Sequence, residues 1–331
     1  MTRQLELCDA VAGETAIVLA TDIDDVELRG LFALALERLG CQVAEIIVRS
    51  GALLDGGDPV DTEAVALALT AADLVVDING GLLERSTAHD EILEQARILA
   101  IDVGSVSEID HLVAHPGLAK RLQRAEELLE HASSLTVSSP AGTLLKMSVK
   151  DVGSRSSPGT VVKPGQLAHW PAGAVWSQPK HSSIAGCIVA MPGDIIHEAG
   201  HLIRSPVRLE ISKGKINDVL GETADADILR SHLEGVDDEH ALDIAEIGWG
   251  MNLTRRGSEL GPFDTARMAA GRGPLAAGRV NLRSGSRTDA EVGLTLSLGG
   301  ASVMLDDLEL VTNGQLEGVL APDIYERAAG S

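Results

Sequence analysis

The segment 197–201 reads His-Glu-Ala-Gly-His, a spacing that can bind zinc. In the motif H-E-x-x-H, two histidines on one face of a helix bind the metal and the glutamate acts as general base. His197 and His201 would be the ligands, and Asp194 is placed to cap such a helix. A zinc site also needs a third protein ligand, for which Glu222 or Glu246 is available. A zinc peptidase is therefore one alternative.

The flanks of this motif favour β structure instead. Pro192-Gly193 precedes it closely, Gly200 weakens a helix, and the segments 187–190 and 207–211 have the composition of strands. In a connection between strands the two histidines would not share a helical face. The acidic turn 21–25 likewise resembles only half of a calcium loop, because the glycine and the final glutamate of that motif do not follow.

The first 134 residues alternate between predicted strands and helices. Apolar runs typical of strands lie at 15–20, 43–48, 72–78 and 97–103. Apolar residues at helical spacing fill 26–39 and 118–131, and Gly40 closes the first of these helices. Strands that alternate with helices form a parallel sheet covered by helices. We therefore predict an α/β parallel-sheet domain over residues 1–134.

From residue 135 onward the chain is rich in Ser, Gly and Val, and its short alternating runs are typical of strands. One helix is predicted at 224–232, with Ala224, Ile228 and Leu229 on one face. The Arg-, Gly- and Ser-rich stretch 271–288 is interpreted as loops around a short strand at 279–282. The sequence predicts a β-rich α+β domain over 135–331.

Composition limits the possible partners and the compartment. A length of 331 residues suits two domains, and a net charge of −22 argues against nucleic-acid and membrane-surface partners. No apolar run approaches the roughly 18 residues of a membrane span, and no signal-peptide pattern opens the chain. Cys8, Cys41 and Cys187 are widely spaced and are predicted to be buried thiols. We expect a cytoplasmic protein.

Three segments carry a resemblance to known proteins. Residues 164–178 read Pro-Gly-Gln-Leu-Ala-His-Trp-Pro-Ala-Gly-Ala-Val-Trp-Ser-Gln, residues 206–216 read Pro-Val-Arg-Leu-Glu-Ile-Ser-Lys-Gly-Lys-Ile, and residues 245–252 read Ala-Glu-Ile-Gly-Trp-Gly-Met-Asn. In this order they resemble segments of the 2,5-dihydroxypyridine 5,6-dioxygenases and the related M29 metallo-aminopeptidases. The resemblance implies a flavodoxin-like parallel-sheet domain followed by a β-rich C-terminal domain of the M29 aminopeptidase type.

The resemblance also implies that most of the family's metal ligands are missing. The dioxygenases hold one Fe(II) with a His just before the Ile-Gly-Trp-Gly segment and a later His-x-Asp pair. The first position is Glu246 here, and the pair should fall within 293–298, which reads Gly-Leu-Thr-Leu-Ser-Leu. Aminopeptidase ligand positions match Ala174, Glu246 and Asn281. We therefore expect no metal cofactor, with Fe(II) or Zn as the alternative.

Three acid/base side chains remain at the positions that the resemblance assigns to the site. His169 corresponds to the side of the pocket that faces the substrate ring in the dioxygenases. Glu246 corresponds to a metal-ligand position, and Glu84 falls where the dioxygenases carry a His thought to act as a base. If burial brings their pKa values toward neutrality, they could move protons or activate water without a metal. The alternative for Glu246 is a structural ion pair with Arg255 or Arg204.

These observations lead to one hypothesis and three alternatives. The hypothesis is an enzyme that acts on a small cyclic or amide-containing molecule, such as a hydroxylated N-heterocycle, by metal-independent hydrolysis, ring opening or proton transfer. The first alternative is an Fe(II) ring-cleaving dioxygenase with unusual ligands, Glu246 with His169, His181 or His201. The others are the zinc peptidase and a catalytically inactive binding subunit. Members of the family are commonly oligomeric, so a homo-oligomer is expected.

Overall fold

The computed structural model describes residues 1–50, 57–58, 60, 62–103, 106, 109, 116–236, 240–253, 275–285 and 292–323. The chain forms two compact units. The first consists of Met1–Ala119 and Ser157–Ala172, and the second of Lys120–Ser156 and Gly173–Ser331.

The first unit contains a parallel sheet of five strands among its described residues. Its strands are β1 (Thr15–Thr21), β2 (Gln42–Val48), β3 (Leu74–Asp77), β4 (Arg97–Ile101) and β8 (Leu167–Trp170), in the order β2-β1-β3-β4-β8. This is the flavodoxin-like order 2-1-3-4-5 with β8 as the fifth strand. The helices of this unit are α1 (Thr2–Leu7), α2 (Val26–Arg38), α3 (Glu63–Thr70) and α4 (His89–Gln95). The predicted flavodoxin-like domain is confirmed.

Helix caps and burial on both faces of the sheet explain these elements. The Asp25 carboxylate accepts hydrogen bonds from the Glu27 and Leu28 amides at the start of α2, and Thr62 caps α3 in the same way. One face of the sheet packs in a cluster with Phe32 and the other in a cluster with Leu69. Parallel strands that are covered on both faces consist of continuous apolar residues, and for this reason β1, β3 and β4 could be predicted from the sequence.

The structure divides the chain differently from the predicted boundary at residues 134 and 135. That boundary assigns 157–172 to the second domain, whereas β8 pairs with β4 in the first sheet, with Ile98 opposite Leu167 and Ile101 opposite Trp170. β4 lies between β3 and β8, so β8 pairs with the backbone N–H and C=O groups on the edge of β4 that β3 does not reach. His169 therefore belongs to the parallel sheet of the first unit.

The second unit contains two antiparallel sheets among its described residues. The larger has the order β14-β13-β10-β6-β5-β18-β19-β20, with β5 (Ser134–Ser138), β6 (Leu144–Ser148), β10 (Ala185–Ala190), β13 (Val207–Ser212), β14 (Lys215–Leu220), β18 (Ser302–Leu305), β19 (Leu308–Thr312) and β20 (Gln315–Leu316). The other has the order β12-β11-β17-β16-β15-β9-β7, with β7 (Ser154–Ser156), β9 (Ala174–Ser177), β11 (Ile195–Ile196), β12 (His201–Leu202), β15 (Ile244–Gly250), β16 (Val280–Gly285) and β17 (Val292–Leu298). The predicted β-rich character is confirmed.

Two helices accompany these strands, α5 (Pro116–His131) and α6 (Ala224–Gly235). The predicted apolar face of α6 is wrong: Ala226, Leu229 and Leu233 are buried, whereas Ile228 is exposed. The buried residues follow the i, i+3, i+7 spacing of one helical face, which Ile228 does not share. None of the described helices is long and apolar enough to cross a membrane.

The remaining expectations concern the cysteines and the stretch 271–288. All three cysteines are free and buried, as predicted. In the stretch 271–288 the predicted strand is β16, which extends from Val280 to Gly285. The loops expected at 271–274 and 286–288 lie outside the described residues.

Candidate active site

His169 lies between two carboxylates in the first unit. Its Nδ1 is 3.1 Å from Oδ2 of Asp102, and its Nε2 is 3.1 Å from Oε2 of Glu84. The side chain of His169 is 33% exposed and that of Glu84 is 42% exposed, whereas Asp102 is 11% exposed. The imidazole is therefore held at both nitrogens but remains accessible to a ligand.

The topology of the sheet brings these three residues together. The strands β3, β4 and β8 are neighbours and parallel, so their carboxyl ends lie at one edge of the sheet. His169 lies near the end of β8, Asp102 directly follows β4, and Glu84 lies in a 3-10 helix (Leu83–Arg85) shortly after β3. This edge is where open α/β sheets bind ligands.

A buried carboxylate orders the loop that carries Glu84. Asp77, the last residue of β3, is fully buried and accepts hydrogen bonds from the amides of Asn79 and Leu83 at 3.1 and 3.0 Å. Burial raises the pKa of Asp77 to about 6, although hydrogen bonds from the loop amides oppose the rise. Gly81 has a φ of +115°, and a Cβ atom there would lie 2.6 Å from Oε2 of Glu84. Glycine is therefore required for the observed position of Glu84.

The other face of β8 anchors the strand. Trp170 is 1% exposed, and its ring packs edge to face against Phe32 with 6.3 Å between the ring centroids. Because successive side chains of a strand point to opposite faces, Trp170 in the core directs His169 to the other face. Ala100 lies opposite His169 in the register of β4, two residues before Asp102.

The two carboxylates determine the charge of His169. Burial opposes protonation, but the hydrogen bonds and charges of Asp102 and Glu84 outweigh it and raise the pKa of His169 from 6.5 to about 10. The hydrogen bond from His169 in turn lowers the pKa of Glu84. At neutral pH the site therefore holds an imidazolium that contacts Asp102 and Glu84, a group that can donate a proton beside a carboxylate that can accept one.

Glu246 lies in the second unit and has a different environment. Its carboxylate, 3% exposed, accepts hydrogen bonds from Nε and Nη2 of Arg155 at 2.9 and 2.6 Å, from Nη1 of Arg283 at 3.0 Å and from Gln178 at 3.3 Å. Burial raises the pKa of Glu246, but the two guanidinium groups outweigh this effect, so that the pKa is lowered overall. Glu246 is therefore an ionised carboxylate in an ion-pair network.

Two expectations about these residues need correction. The ion pair expected for Glu246 exists, but its partners are Arg155 and Arg283; Arg255 lies outside the described residues, and the amide of Arg204 donates to Asp225. The condition that burial brings the pKa values toward neutrality is not met either, because the pKa of His169 rises and that of Glu246 falls. Burial is the largest single influence at both residues, but the charged neighbours together outweigh it. The predicted convergence of His169 and Glu246 involves residues of different units and stays a prediction.

Residues 197–200 form a turn between β11 and β12, and His201 is the first residue of β12, so the motif is not helical. Nε2 of His197 is 2.6 Å from Oγ of Ser297, and Nε2 of His201 is 2.5 Å from Oδ1 of Asp225. Burial lowers the pKa of His197 to about 4, so this residue is neutral. The helical face that a zinc peptidase motif requires is therefore not formed.

Comparison with known proteins identifies the family. The sequence matches the family model of the 2,5-dihydroxypyridine 5,6-dioxygenases (NicX) over residues 1–318, and the chain belongs to this family. It is 29% identical over 267 residues to a 2,5-dihydroxypyridine 5,6-dioxygenase of Pseudomonas putida KT2440, which covers 78% of this chain and 74% of the relative.

Two solved structures share the fold. The 2,5-dihydroxypyridine dioxygenase of Pseudomonas putida KT2440 superposes with a TM-score of 0.78 at 23% identity, covering 98% of this chain and 97% of the other. AmpT from Thermus thermophilus superposes with a TM-score of 0.59 at 15% identity, covering 95% and 98%. The two structures confirm the resemblance in fold to the dioxygenases and to the M29 aminopeptidase AmpT.

The positions that the resemblance assigns to iron do not fit a metal in this chain. Both oxygens of Glu246 accept hydrogen bonds from guanidinium groups, so a cation bound there would displace two arginines. The strand β17 contains neither histidine nor aspartate. Across the part of the chain that the structure describes, no three His, Cys, Asp or Glu side chains are grouped to hold a metal ion. His181 and His201 contact Asp243 and Asp225 instead.

The sequence did not predict several partners of His169 and Glu246, namely Asp102, Arg155, Arg283 and Gln178. Asp102 had a usable signal, because it is the polar residue at the carboxyl end of a predicted strand. Arg155 and Glu246 are 91 positions apart in the sequence, and no local pattern connects them. Gln178 lies within the motif around His169, but nothing in that motif indicates a contact with Glu246.

Proposed function

We propose that this protein is an enzyme that acts on a small cyclic or amide-containing molecule, such as a hydroxylated N-heterocycle, by metal-independent acid–base chemistry. The observation that carries the proposal is the accessible imidazolium of His169, held at 3.1 Å by both Asp102 and Glu84. Groups with strongly perturbed pKa values at the carboxyl edge of a parallel sheet are typical of functional sites. The reaction is a hydrolysis, a ring opening or a proton transfer.

The proton positions define a sequence of steps. In the resting site the Nε2–H of His169 donates to Glu84, and the Nδ1–H donates to Asp102. When an oxygen or nitrogen of the substrate replaces Glu84 as acceptor, His169 transfers the Nε2 proton to it as a general acid. Glu84 accepts a proton from the attacking water or from a ring hydroxyl. Glu84 then returns this proton to Nε2, which restores the starting state.

A hydroxylated ring suits this site as a substrate. In the resting site the two carboxylates raise the pKa of His169 to about 10. When a ring oxygen replaces Glu84 at Nε2, the stabilisation of the imidazolium by Glu84 weakens, so His169 gives up its proton more readily. The Pseudomonas putida relative is a 2,5-dihydroxypyridine 5,6-dioxygenase, so dihydroxypyridines are the first compounds to test.

An Fe(II)-dependent ring-cleaving dioxygenase is the second candidate. Membership of the dioxygenase family favours it. The ion pairs of Glu246 oppose it, because they involve both of its oxygens. This candidate requires ligands other than those that the resemblance assigns.

The test is turnover of dihydroxypyridines and cyclic amides, followed by ultraviolet absorbance with and without a chelator. We expect chelation to leave the activity unchanged and H169N to lower it by about a hundredfold or more. H131N is the matched control, because His131 is exposed and lies on α5. Activity that needs added Fe(II) and consumes oxygen would support the dioxygenase. If H169N retained full activity, the proposal would be wrong.

A further inference from the structure

The cluster around Glu246 carries more positive than negative charge. Two guanidinium groups, from Arg155 and Arg283, share one carboxylate. The local balance is therefore one positive charge in a chain whose net charge is −22. A structural ion pair needs only one arginine, so the second cation calls for a further explanation.

Several donors of these two arginines remain available. Glu246 receives hydrogen bonds from Nε and Nη2 of Arg155 and from Nη1 of Arg283. Nε of Arg283 is buried and has no hydrogen-bond partner among the described residues. The side chain of Arg155 is 56% exposed and that of Arg283 is 23% exposed. Because Nε of Arg283 is buried, the donors within reach of a ligand are those of the exposed Arg155 guanidinium that Glu246 does not engage.

The sheet fixes the position of both arginines. Glu246 on β15 lies opposite Arg283 on β16, and Arg155 on the edge strand β7 lies opposite Trp176 on β9. The Arg155 guanidinium lies 5.7 Å from the centre of the Trp176 ring. Trp176 is 8% exposed and provides a rigid support. The two guanidinium groups are therefore oriented before any ligand binds.

We propose that Arg155 and Arg283, held by Glu246, form a binding site for the carboxylate group of a small organic molecule. The guanidinium fork matches the geometry of a carboxylate, and charge-assisted hydrogen bonds of this kind are strong. Glu246 acts as a positioning residue in this site. The inference goes beyond the proposed acid–base chemistry and does not depend on His169.

The experiment measures binding of benzoate to the full chain by NMR of the arginine Nε–Hε signals, with neutral benzamide as the comparison. We expect saturable shifts of the Arg155 and Arg283 signals with benzoate and none with benzamide. R155Q should weaken binding at least about tenfold, and R155K should weaken it less. Arg155 is half exposed on an edge strand, so R155Q is expected to fold even if R283Q does not.

Two control variants separate the possible outcomes. R208Q removes an exposed arginine paired with Glu210 on the other sheet, and it should leave benzoate binding unchanged. H169N should also bind benzoate normally, so failure of the acid–base proposal would leave this result intact. Benzoate binding that is absent, equal to that of benzamide, or insensitive to R155Q would overturn the inference.

Discussion

Replacement of Glu84 by glutamine should lower the pKa of His169, because the variant removes one of the two negative charges that stabilise the imidazolium. Both carboxylates lie 3.1 Å from a ring nitrogen, and an opposite charge at such a distance moves a pKa by about 1–3 pH units. Glu84 is 42% exposed and Asp102 is 11% exposed, so solvent screens Glu84 more strongly. We therefore expect a fall of about 1–2 pH units for E84Q and a larger fall for D102N.

The assay is an NMR titration of the His169 ring signals between pH 5 and about pH 11, assigned by comparison with H169N. The wild-type midpoint should lie near the value of about 10 that the two carboxylates produce. E127Q is the matched control, because Glu127 is exposed on α5 and pairs with Arg124. An unchanged midpoint in E84Q, or a wild-type midpoint near 6.5, would refute the reasoning.

Three further predictions concern stability. G81A should move Glu84 and lower the pKa of His169 as E84Q does, because a Cβ atom there would lie 2.6 Å from Oε2 of Glu84. The φ of +115° should also reduce the unfolding free energy by about 1–3 kcal/mol. A His169 titration and a Tm equal to those of the wild type would contradict this prediction. Because the folded-state pKa of His169 is raised, its stabilising contribution should be complete below about pH 6.5 and lost as the pH rises through about 10, so the Tm difference between wild type and H169N should shrink over that range. E246Q should lose about 1–3 kcal/mol in urea unfolding, because two guanidinium groups then lack their carboxylate; a loss below about 0.5 kcal/mol would show that the network is not stabilising.

The parallel sheet was largely predictable because its strands are apolar on both faces. β1, β3 and β4 appear as continuous apolar runs, and the capped helix α2 follows β1 at once. β8 was not predictable as part of this sheet, since its four residues include a histidine and it follows the first strands of the other unit. The position of β8 depends on its pairing with the edge of β4, which is decided by the tertiary structure and not by the local sequence.

The candidate site was predictable only where a motif marked it. His169 and Glu84 came from the resemblance, and the structure brings both to the same edge of the sheet. The third member, Asp102, needed knowledge of the order in which β3, β4 and β8 lie side by side. The direction of each pKa shift depends on the partners of a residue, so the sequence alone could not give it.

The most direct test of metal-independent chemistry is the metal content of the protein, purified without a metal-affinity tag, dialysed and analysed by inductively coupled plasma mass spectrometry. We expect far less than one iron or zinc per chain in protein that is active. Iron or zinc close to one per chain, lost together with activity on chelation, would contradict it.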